Sequence, residues 1–302
     1  MRLATYSEQD GGDANHLGIV LGDRIINLEA AAKSLGLPDV HDDMRGFIAQ
    51  GAAAMQTASA IAERLAGDAS KGLPLSSVRL RAPIPRPERN VVCVGLNYAD
   101  HVAESKSVAG SDAPKFPVFF TKPPSCVIGP GDEIPWHGHV STSIDWEVEL
   151  AVIIGRQGRD IDEASALDYV FGYTVANDVT ARDLQGRHGQ WYKGKGLDGF
   201  CPLGPVVVTA DEIGDPHRLE ISLRVNGVEK QHSNTSHLIF RLPRLIAEWS
   251  AGMTLYPGDI LLTGTPSGVG IGRTPPEFLQ PGDLVEAEIA GIGVLSNAVG
   301  SG

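Results

Sequence analysis

Two glutamates, Glu147 and Glu149, interrupt the apolar run "SIDWEVELAVIIG" at residues 143–155. Side chains at positions i and i+2 of a β-strand point to the same face, so the two carboxylates are expected to lie side by side. Their mutual repulsion costs roughly 1 to 4 kcal/mol at surface-like dielectric constants, and more in a buried site. The pair therefore indicates either a cation site or a solvated strand face opposite a buried Trp146 and Val148, as antiparallel sheets often have.

A third carboxylate, Asp178, ends a later apolar run in "YTVANDVTARDLQ". At the end of a strand it can face the same pocket as Glu147 and Glu149. Three carboxylates form a hard oxygen ligand set, which suits magnesium or manganese and not zinc. If the glutamates face a pocket, the sequence predicts a divalent metal site.

A histidine and a glutamate with helical spacing follow a possible capping residue in "VGLNYADHVAES". Asn97 can cap a short helix on which His101 and Glu104, three residues apart, share one face. A carboxylate beside an imidazole fixes its tautomer and raises its basicity, as a general base that takes a proton from water requires. The other interpretation is an ion pair on an exposed helix.

Two glycine-containing segments can supply anion-binding groups. "ARDLQGRHGQWYKGKGLDGFCPLGP" carries Arg182, Gln185 and Lys195, which can neutralise a bound carboxylate or a developing oxyanion, unless this is an exposed flexible loop. In "ILLTGTPSGVG", backbone N–H groups around Gly264 and the Thr265 hydroxyl can hold an anion. This segment lacks the G-x-x-x-x-G-K-[ST] pattern of a phosphate-binding loop, so nucleotide binding is not predicted.

The elements that must position these residues are mostly short strands. Over residues 86–302, Val-, Ile- and Leu-rich runs alternate with Gly/Pro turns, which predicts a predominantly β domain, rolled or sandwich-like, with a few helices. Residues 1–85 predict a small domain with a hairpin turn at residues 22 and 23 and an amphipathic helix over residues 44–65. The fold class is therefore α+β, and the proline-rich run "GLPLSSVRLRAPIPRPERN" places the boundary near residue 85.

Composition excludes several classes of protein. The formal net charge of −12 opposes binding to nucleic acid or anionic membranes. The N-terminal residues do not read as a secretion signal and no 18-residue apolar run occurs, so a soluble cytoplasmic protein is expected. Three cysteines without metal-ligand spacing predict neither a disulfide framework nor a zinc site.

In combination and in order, the motifs resemble those of the fumarylacetoacetate hydrolase family. They are "VGLNYADHVAE", "FFTKPPS", "DWEVELAVIIG", "NDVTARDLQ", "KGLDGFCPLGP" and "LLTGTPSGVG", within residues 88–299. The resemblance implies a mixed β-roll or sandwich catalytic domain behind a small N-terminal α/β domain, and a homodimer. It implies that Mg²⁺ or Mn²⁺ is bound by Glu147, Glu149 and Asp178, and that His101 and Glu104 form a water-activating dyad. It assigns Lys195 to oxyanion and enolate stabilisation, and substrate binding to Lys122, Arg182, Gln185, Gly264 and Thr265.

The function expected from this resemblance is metal-dependent hydrolysis of a carbon–carbon bond in an acylpyruvate, giving pyruvate and a carboxylic acid. Maleylpyruvate or fumarylpyruvate, from aromatic compound catabolism, is the favoured substrate. The same enolate-stabilising site can instead serve an oxaloacetate decarboxylase, an isomerase or hydratase of dienoic keto acids, or a ureidoglycolate lyase. A non-catalytic binding protein is the remaining alternative.

Overall fold

The computed structural model describes residues 1–9, 14–67, 71–102, 104 and 114–301. Its strands are β1 (Arg2–Glu8), β2 (His16–Leu21), β3 (Arg24–Asn27), β4 (Leu73–Pro74), β5 (Val78–Leu80), β6 (Val91–Gly95), β7 (Val118–Lys122), β8 (Val127–Ile128), β9 (Ile144–Asp145), β10 (Val148–Ile154), β11 (Val170–Asn177), β12 (Thr180–Ala181), β13 (Cys201–Thr209), β14 (Glu220–Val225), β15 (Val228–Asn234), β16 (Ile260–Leu262), β17 (Leu284–Ile289) and β18 (Gly293–Ala298).

The α-helices are short apart from one in the N-terminal region. They are α1 (Leu28–Ser34), α2 (Met44–Gln50), α3 (Ala52–Leu65), α4 (Arg182–Arg187), α5 (Tyr192–Lys195), α6 (Ala210–Ile213) and α7 (Leu242–Ser250). Residues 99–102 and 104 are also helical. Segments of 3₁₀-helix cover Leu75–Ser77, Pro124–Cys126, Glu163–Tyr169, Thr235–His237 and Gly270–Gly272. The predominance of strands confirms the predicted α+β class.

One large sheet joins both predicted domains. Its strand order is β4-β3-β2-β1-β13-β11-β10-β16-β6-β7, with β5 and β8 attached beside it. The N-terminal β1 pairs antiparallel with β13, where Leu3 lies opposite Val207. Because the segments on either side of residue 85 share a sheet, hydrogen bonds tie them together, and the division at that residue stays a prediction.

Both faces of the large sheet are covered, which explains why β10 is buried along its whole length and is apolar apart from Glu149. The four-stranded sheet β15-β14-β17-β18 packs on one face, where Leu150 and Val152 share a core with Ile221 and Leu223. The other face packs on α1–α3, which bury Leu28, Phe47 and Ile61 together with Ala151 and Ile153.

The N-terminal region confirms one local prediction and corrects another. The hairpin of β2 and β3 turns at residues 22 and 23, as expected. The single helix predicted over residues 44–65 is wrong, because the chain breaks at Gly51 into α2 and α3. Gly51 has φ of +63°, a conformation that ends a helix and that glycine adopts at little cost.

The described residues contain neither a membrane-spanning helix nor a disulfide. No helix among them combines the length and apolar character needed to cross a membrane. None of Cys93, Cys126 and Cys201 forms a disulfide, and all three thiols are buried.

Candidate active site

Three carboxylates converge where β10 begins and β11 ends. Glu149 lies on β10, Glu147 immediately precedes it, and Asp178 immediately follows β11, the antiparallel neighbour of β10. Each offers one oxygen, and these oxygens lie within 4.8 Å of one another. Because Glu147 is 4% exposed and Glu149 is 1% exposed, the solvated-face interpretation of this strand is wrong. The sheet thus places the three predicted ligands together.

Two of these carboxylates are compensated by cations of the protein. The Lys195 Nζ lies 2.6 Å from Glu147 Oε2 and 2.7 Å from Asp178 Oδ2, and Arg182 Nη2 lies 2.7 Å from Glu147 Oε1. Burial acts to raise the pKa of Glu147, but the charges of Lys195 and Arg182 outweigh it and lower this pKa to about 2. Burial likewise acts to lower the pKa of Lys195, and Asp178 and Glu147 raise it overall.

Glu149 differs because no ion pair with a described lysine or arginine compensates it. Its Oε2 accepts a hydrogen bond of 2.6 Å from the backbone N–H of Gly264. Burial, with the charges of Asp178 and Glu147, raises the pKa of Glu149 well above its usual range. A buried carboxylate that protein cations leave uncompensated is a group that a bound cation would stabilise.

The donor set fits a divalent metal. Among the described residues, four buried carboxylates (Asp145, Glu147, Glu149 and Asp178) face three buried cations (Lys122, Arg182 and Lys195). A divalent ion would turn this excess negative charge into an excess positive charge and satisfy Glu149. Oxygen-only donors suit Mg²⁺ or Mn²⁺. The cluster could then attract an anionic ligand.

A cavity of about 290 Å³ opens beside this cluster, at the small end of ligand pockets. His101 lines it and is 7% exposed, so the interpretation of an exposed helical pair is wrong for this residue. Its Nδ1 lies 3.3 Å from Glu104 Oε2. The predicted site residues on the cavity wall are His101, Glu104, Glu147, Glu149, Arg182, Gln185, Lys195 and Thr265.

The other predicted site residues lie outside that wall, namely Lys122, Asp178 and Gly264. Lys122 is fully buried, and its Nζ donates to Asp178 Oδ1 at 2.6 Å and to the carbonyl of Val179 at 3.1 Å. Burial acts to lower the pKa of Lys122, but Asp178 outweighs it and raises this pKa. The substrate contact predicted for Lys122 is corrected to support of a candidate metal ligand. Gly264 contributes in the same way, through its hydrogen bond to Glu149.

Aromatic residues that the sequence analysis did not single out form an apolar part of the wall. Phe120 and Trp191 pack edge to face, with ring centroids 5.3 Å apart, and Lys195 Nζ lies 5.2 Å from the Phe120 centroid. A Cβ added at Gly95 would lie less than 3.0 Å from the Trp191 ring, so glycine leaves room for this side chain. The close approach of Gly95 and Trp191 has no signal in the sequence.

Gln231 on β15 orients the Thr265 hydroxyl. Its Oε1 accepts from the Val148 N–H at 3.0 Å, which leaves Nε2 to donate to Thr265 Oγ1 at 2.8 Å and to the Pro266 carbonyl at 2.8 Å. Since Thr265 Oγ1 is an acceptor in this bond, its own proton is available to a ligand in the cavity. A lone glutamine in a strand gave no indication of this role.

Asp145 anchors Arg182 from behind. The fully buried Asp145 accepts from Arg182 Nε at 2.7 Å, from the Gly270 N–H at 2.6 Å and from the Ile271 N–H at 3.0 Å. Arg182 is therefore held between Asp145 and Glu147. The position of Asp145, two residues before Glu147, was the available sequence signal.

Comparison with known proteins places this site in a family. The family model described as fumarylacetoacetate (FAA) hydrolase C-terminal matches residues 90–300. Oxaloacetate tautomerase YisK of Bacillus subtilis (strain 168) is 46% identical over 290 residues, which cover 94% of this chain and 96% of the relative.

Solved structures agree with this placement over the whole chain. Fumarylacetoacetate hydrolase from psychrophilic Exiguobacterium antarcticum is 39% identical with a TM-score of 0.82, and covers 100% of both chains. Maleylpyruvate hydrolase from Sphingobium sp. SYK-6, in complex with manganese(II) and pyruvate, is 30% identical with a TM-score of 0.77, again over 100% of both chains. The chain belongs to the fumarylacetoacetate hydrolase family, as its motifs predicted.

Proposed function

We propose that this protein is a divalent-metal-dependent tautomerase that interconverts the enol and keto forms of oxaloacetate. The observation that carries the proposal is that a proton-transfer pair, His101 and Glu104, lines the same small cavity as Glu147 and Glu149. The similarity to a curated oxaloacetate tautomerase over nearly the whole of both chains supports this reaction among those that the site allows.

The charges around the cavity suit a four-carbon dianion. A bound Mg²⁺ or Mn²⁺, held by Glu147, Glu149 and Asp178, would polarise the oxygen on C2 and its neighbouring carboxylate. Lys195 uses two of its N–H donors on Glu147 and Asp178, so a third is available to an oxyanion. The Thr265 hydroxyl, with its proton directed away from Gln231, can donate to a carboxylate.

Tautomerisation needs one proton to leave the oxygen on C2 and one to be added at C3, while the carbon skeleton stays intact. Glu104 engages Nδ1 of His101, so Nε2 is the ring nitrogen that can exchange a proton with the ligand. We assign His101 as the acid–base group and Glu104 as the group that orients it. Phe120 and Trp191 line the same cavity, and their apolar surface would limit the water around a bound ligand.

Hydrolysis of an acylpyruvate, the expectation from the sequence, is the second candidate. The same dyad could activate water, and the similarity to the Sphingobium maleylpyruvate hydrolase favours it. Decarboxylation of oxaloacetate is a third outcome of the same enolate-stabilising chemistry. These reactions differ in product, because only the tautomerase leaves all four carbons of oxaloacetate together.

The test is to supply enol-oxaloacetate to chelator-treated protein, with and without added Mg²⁺ or Mn²⁺. Loss of the enol ultraviolet absorbance reports tautomerisation, malate dehydrogenase with NADH reports the keto product, and a pyruvate assay reports decarboxylation. Metal-restored loss of the enol with stoichiometric keto product is the expected result. Acetylpyruvate, maleylpyruvate and fumarylpyruvate are assayed in parallel for pyruvate and the second acid. Turnover of these acylpyruvates without acceleration of the oxaloacetate reaction would overturn the proposal in favour of the hydrolase.

A further inference from the structure

Backbone N–H groups of the glycine-rich segment at residues 264–272 bind carboxylates of the protein itself, including the Gly264 N–H, which lies where the sequence predicted an anion site. The N–H of Gly264 donates to Glu149, and the N–H of Gly270 donates to Asp145. Between them, the N–H of Gly268 lies 3.1 Å from Glu104 Oε1 and 3.3 Å from Glu104 Oε2. This segment therefore connects Glu149, a candidate metal ligand, with the carboxylate of the proposed dyad.

Gly272 provides the space that the Glu104 carboxylate occupies. A Cβ built at residue 272 would lie less than 3.0 Å from the carboxylate carbon, one carboxylate oxygen and Cγ of Glu104, which are its three nearest neighbours. Gly272 is not among the glycines with positive φ, so an alanine there meets no backbone strain. The steric conflict falls on the end of a flexible side chain, which can move away.

We propose that residues 268–272 form a carboxylate seat for Glu104, and that Gly272 is a positioning residue of the proton-transfer dyad. The Gly268 N–H fixes the carboxylate from one side, and the missing side chain of Gly272 lets it lie 3.3 Å from His101 Nδ1. Asp145 holds the seat in place through the N–H groups of Gly270 and Ile271. The kinetic consequence rests on the proposed function, whereas the placement of Glu104 does not.

The first test measures the placement of Glu104 without using activity. Long-range ¹H–¹⁵N spectra of the histidine side chains report which ring nitrogen carries the proton, and His101→Asn identifies the His101 signals. The His101 signals of Gly272→Ala should shift from their wild-type positions to those of Glu104→Ala. Signals that stay at the wild-type positions would overturn the proposal that Gly272 positions Glu104, whether or not the protein turns over oxaloacetate.

The second test is a double-mutant cycle on tautomerase turnover. Gly272→Ala should lower kcat by about 100-fold, the order expected when a reacting group is displaced by an ångström. In the Glu104→Ala background the same substitution should change kcat by less than about twofold, because both variants remove one interaction. Equal losses in the two backgrounds would show that Gly272 acts on something other than Glu104 and would overturn the proposal.

Gly186→Ala is the matched control for an added methyl group. A Cβ at residue 186 meets nothing within 4 Å, and Gly186 also lacks a positive φ. The proposal requires the loss for Gly272→Ala to exceed the loss for Gly186→Ala. If wild-type protein does not accelerate the loss of enol-oxaloacetate, the proposed function is wrong. The spectra still test whether residues 268–272 position Glu104.

Discussion

The two halves of the cavity are held in different ways. The metal half consists of Glu149 on β10, with Glu147 and Asp178 next to the ends of β10 and of its neighbour β11. Ion pairs of 2.6 to 2.7 Å fix two of these three carboxylates. The base half presents His101 from a short helical stretch, and its contact with Glu104 is longer, at 3.3 Å. A sheet can fix ligand geometry before a metal binds, whereas the dyad depends on contacts made across to residues 268–272.

The largest effect is expected in the metal half, from Glu149→Gln. The amide can still accept from the Gly264 N–H, but it removes a charge that no described lysine or arginine pairs with. Metal affinity should fall by more than about 100-fold, since even partners outside the ligand shell are worth about 10- to 100-fold. Titration with Mn²⁺ and turnover with added metal would measure this loss.

The same variant should be more stable than wild type when metal is absent. A buried carboxylate without a counter-charge destabilises the fold, and the amide removes that destabilisation. Thermal unfolding with chelator and with Mn²⁺ tests both predictions, because bound metal should stabilise only the wild type appreciably. A metal-free Glu149→Gln protein that unfolds at a lower temperature than wild type would contradict this account of the metal half.

His101→Asn should separate the base half from the metal half. Loss of a positioned acid–base group lowers turnover by about 10²- to 10⁴-fold, while the carboxylate cluster keeps its charges. The shift in unfolding temperature on adding Mn²⁺ should therefore match that of wild type. The exposed His41 offers the control substitution His41→Asn, and equal losses of turnover in both variants would remove His101 from the mechanism.

A smaller effect is expected from Gln231→Met. This variant tests whether the buried Gln231, which bonds to Val148 beside the metal ligands, also orients the Thr265 hydroxyl. The variant leaves the Val148 N–H without its acceptor and frees the Thr265 hydroxyl to point away from the cavity. Removing one hydrogen bond to the substrate should raise KM by about tenfold, with a smaller change in kcat. Adding Gln231→Met to Thr265→Val should give little further increase, and a fully additive increase in KM would contradict the role assigned to Gln231.

The metal half was the more predictable from sequence, and the reason is physical. Carboxylates within long apolar runs are unusual, so Glu147, Glu149 and Asp178 were visible as candidates before the structure. His101 and Glu104 were visible through their helical spacing. The strand-rich pattern predicted the α+β class because side-chain alternation and turn residues are local properties.

Roles that depend on distant neighbours could not be predicted. Gln231 and Asp145 act through partners 34 to 126 residues away in the chain. The break at Gly51 was missed because a glycine within a helical pattern is tolerated, and its φ decides whether the helix ends. The N–H groups around Gly264 were predicted to hold an external anion, whereas the Gly264 N–H donates to Glu149, because the sequence shows the donors of such a site but not which anion reaches them.

The smallest effect concerns a second buried histidine, His217, whose environment contrasts with that of His101. Its Nε2 accepts a 3.1 Å hydrogen bond from the Leu242 N–H, which requires an unprotonated nitrogen. Burial lowers the pKa of His217 from 6.5, and Asp215 only partly opposes this while Arg241 adds to it. Between the folded and unfolded pKa values the unfolded chain binds more protons, so the free energy of unfolding rises with pH in that range.

The stabilisation from a neutral His217 is therefore complete above pH 6.5 and is lost as pH falls through the lowered pKa of the folded state. Urea unfolding of metal-free protein on both sides of pH 6.5 should show a weaker pH dependence for His217→Gln than for wild type, because glutamine does not titrate. The glutamine oxygen can still accept from the Leu242 N–H, which keeps that hydrogen bond. The same substitution at the exposed His41 controls for loss of a histidine from the unfolded chain. Identical pH dependence for His217→Gln and wild type would show that this histidine titrates equally in both states. The two histidines would then differ only in how they are held. The Glu104 carboxylate, which can be displaced, holds His101, whereas the backbone N–H of Leu242 holds His217.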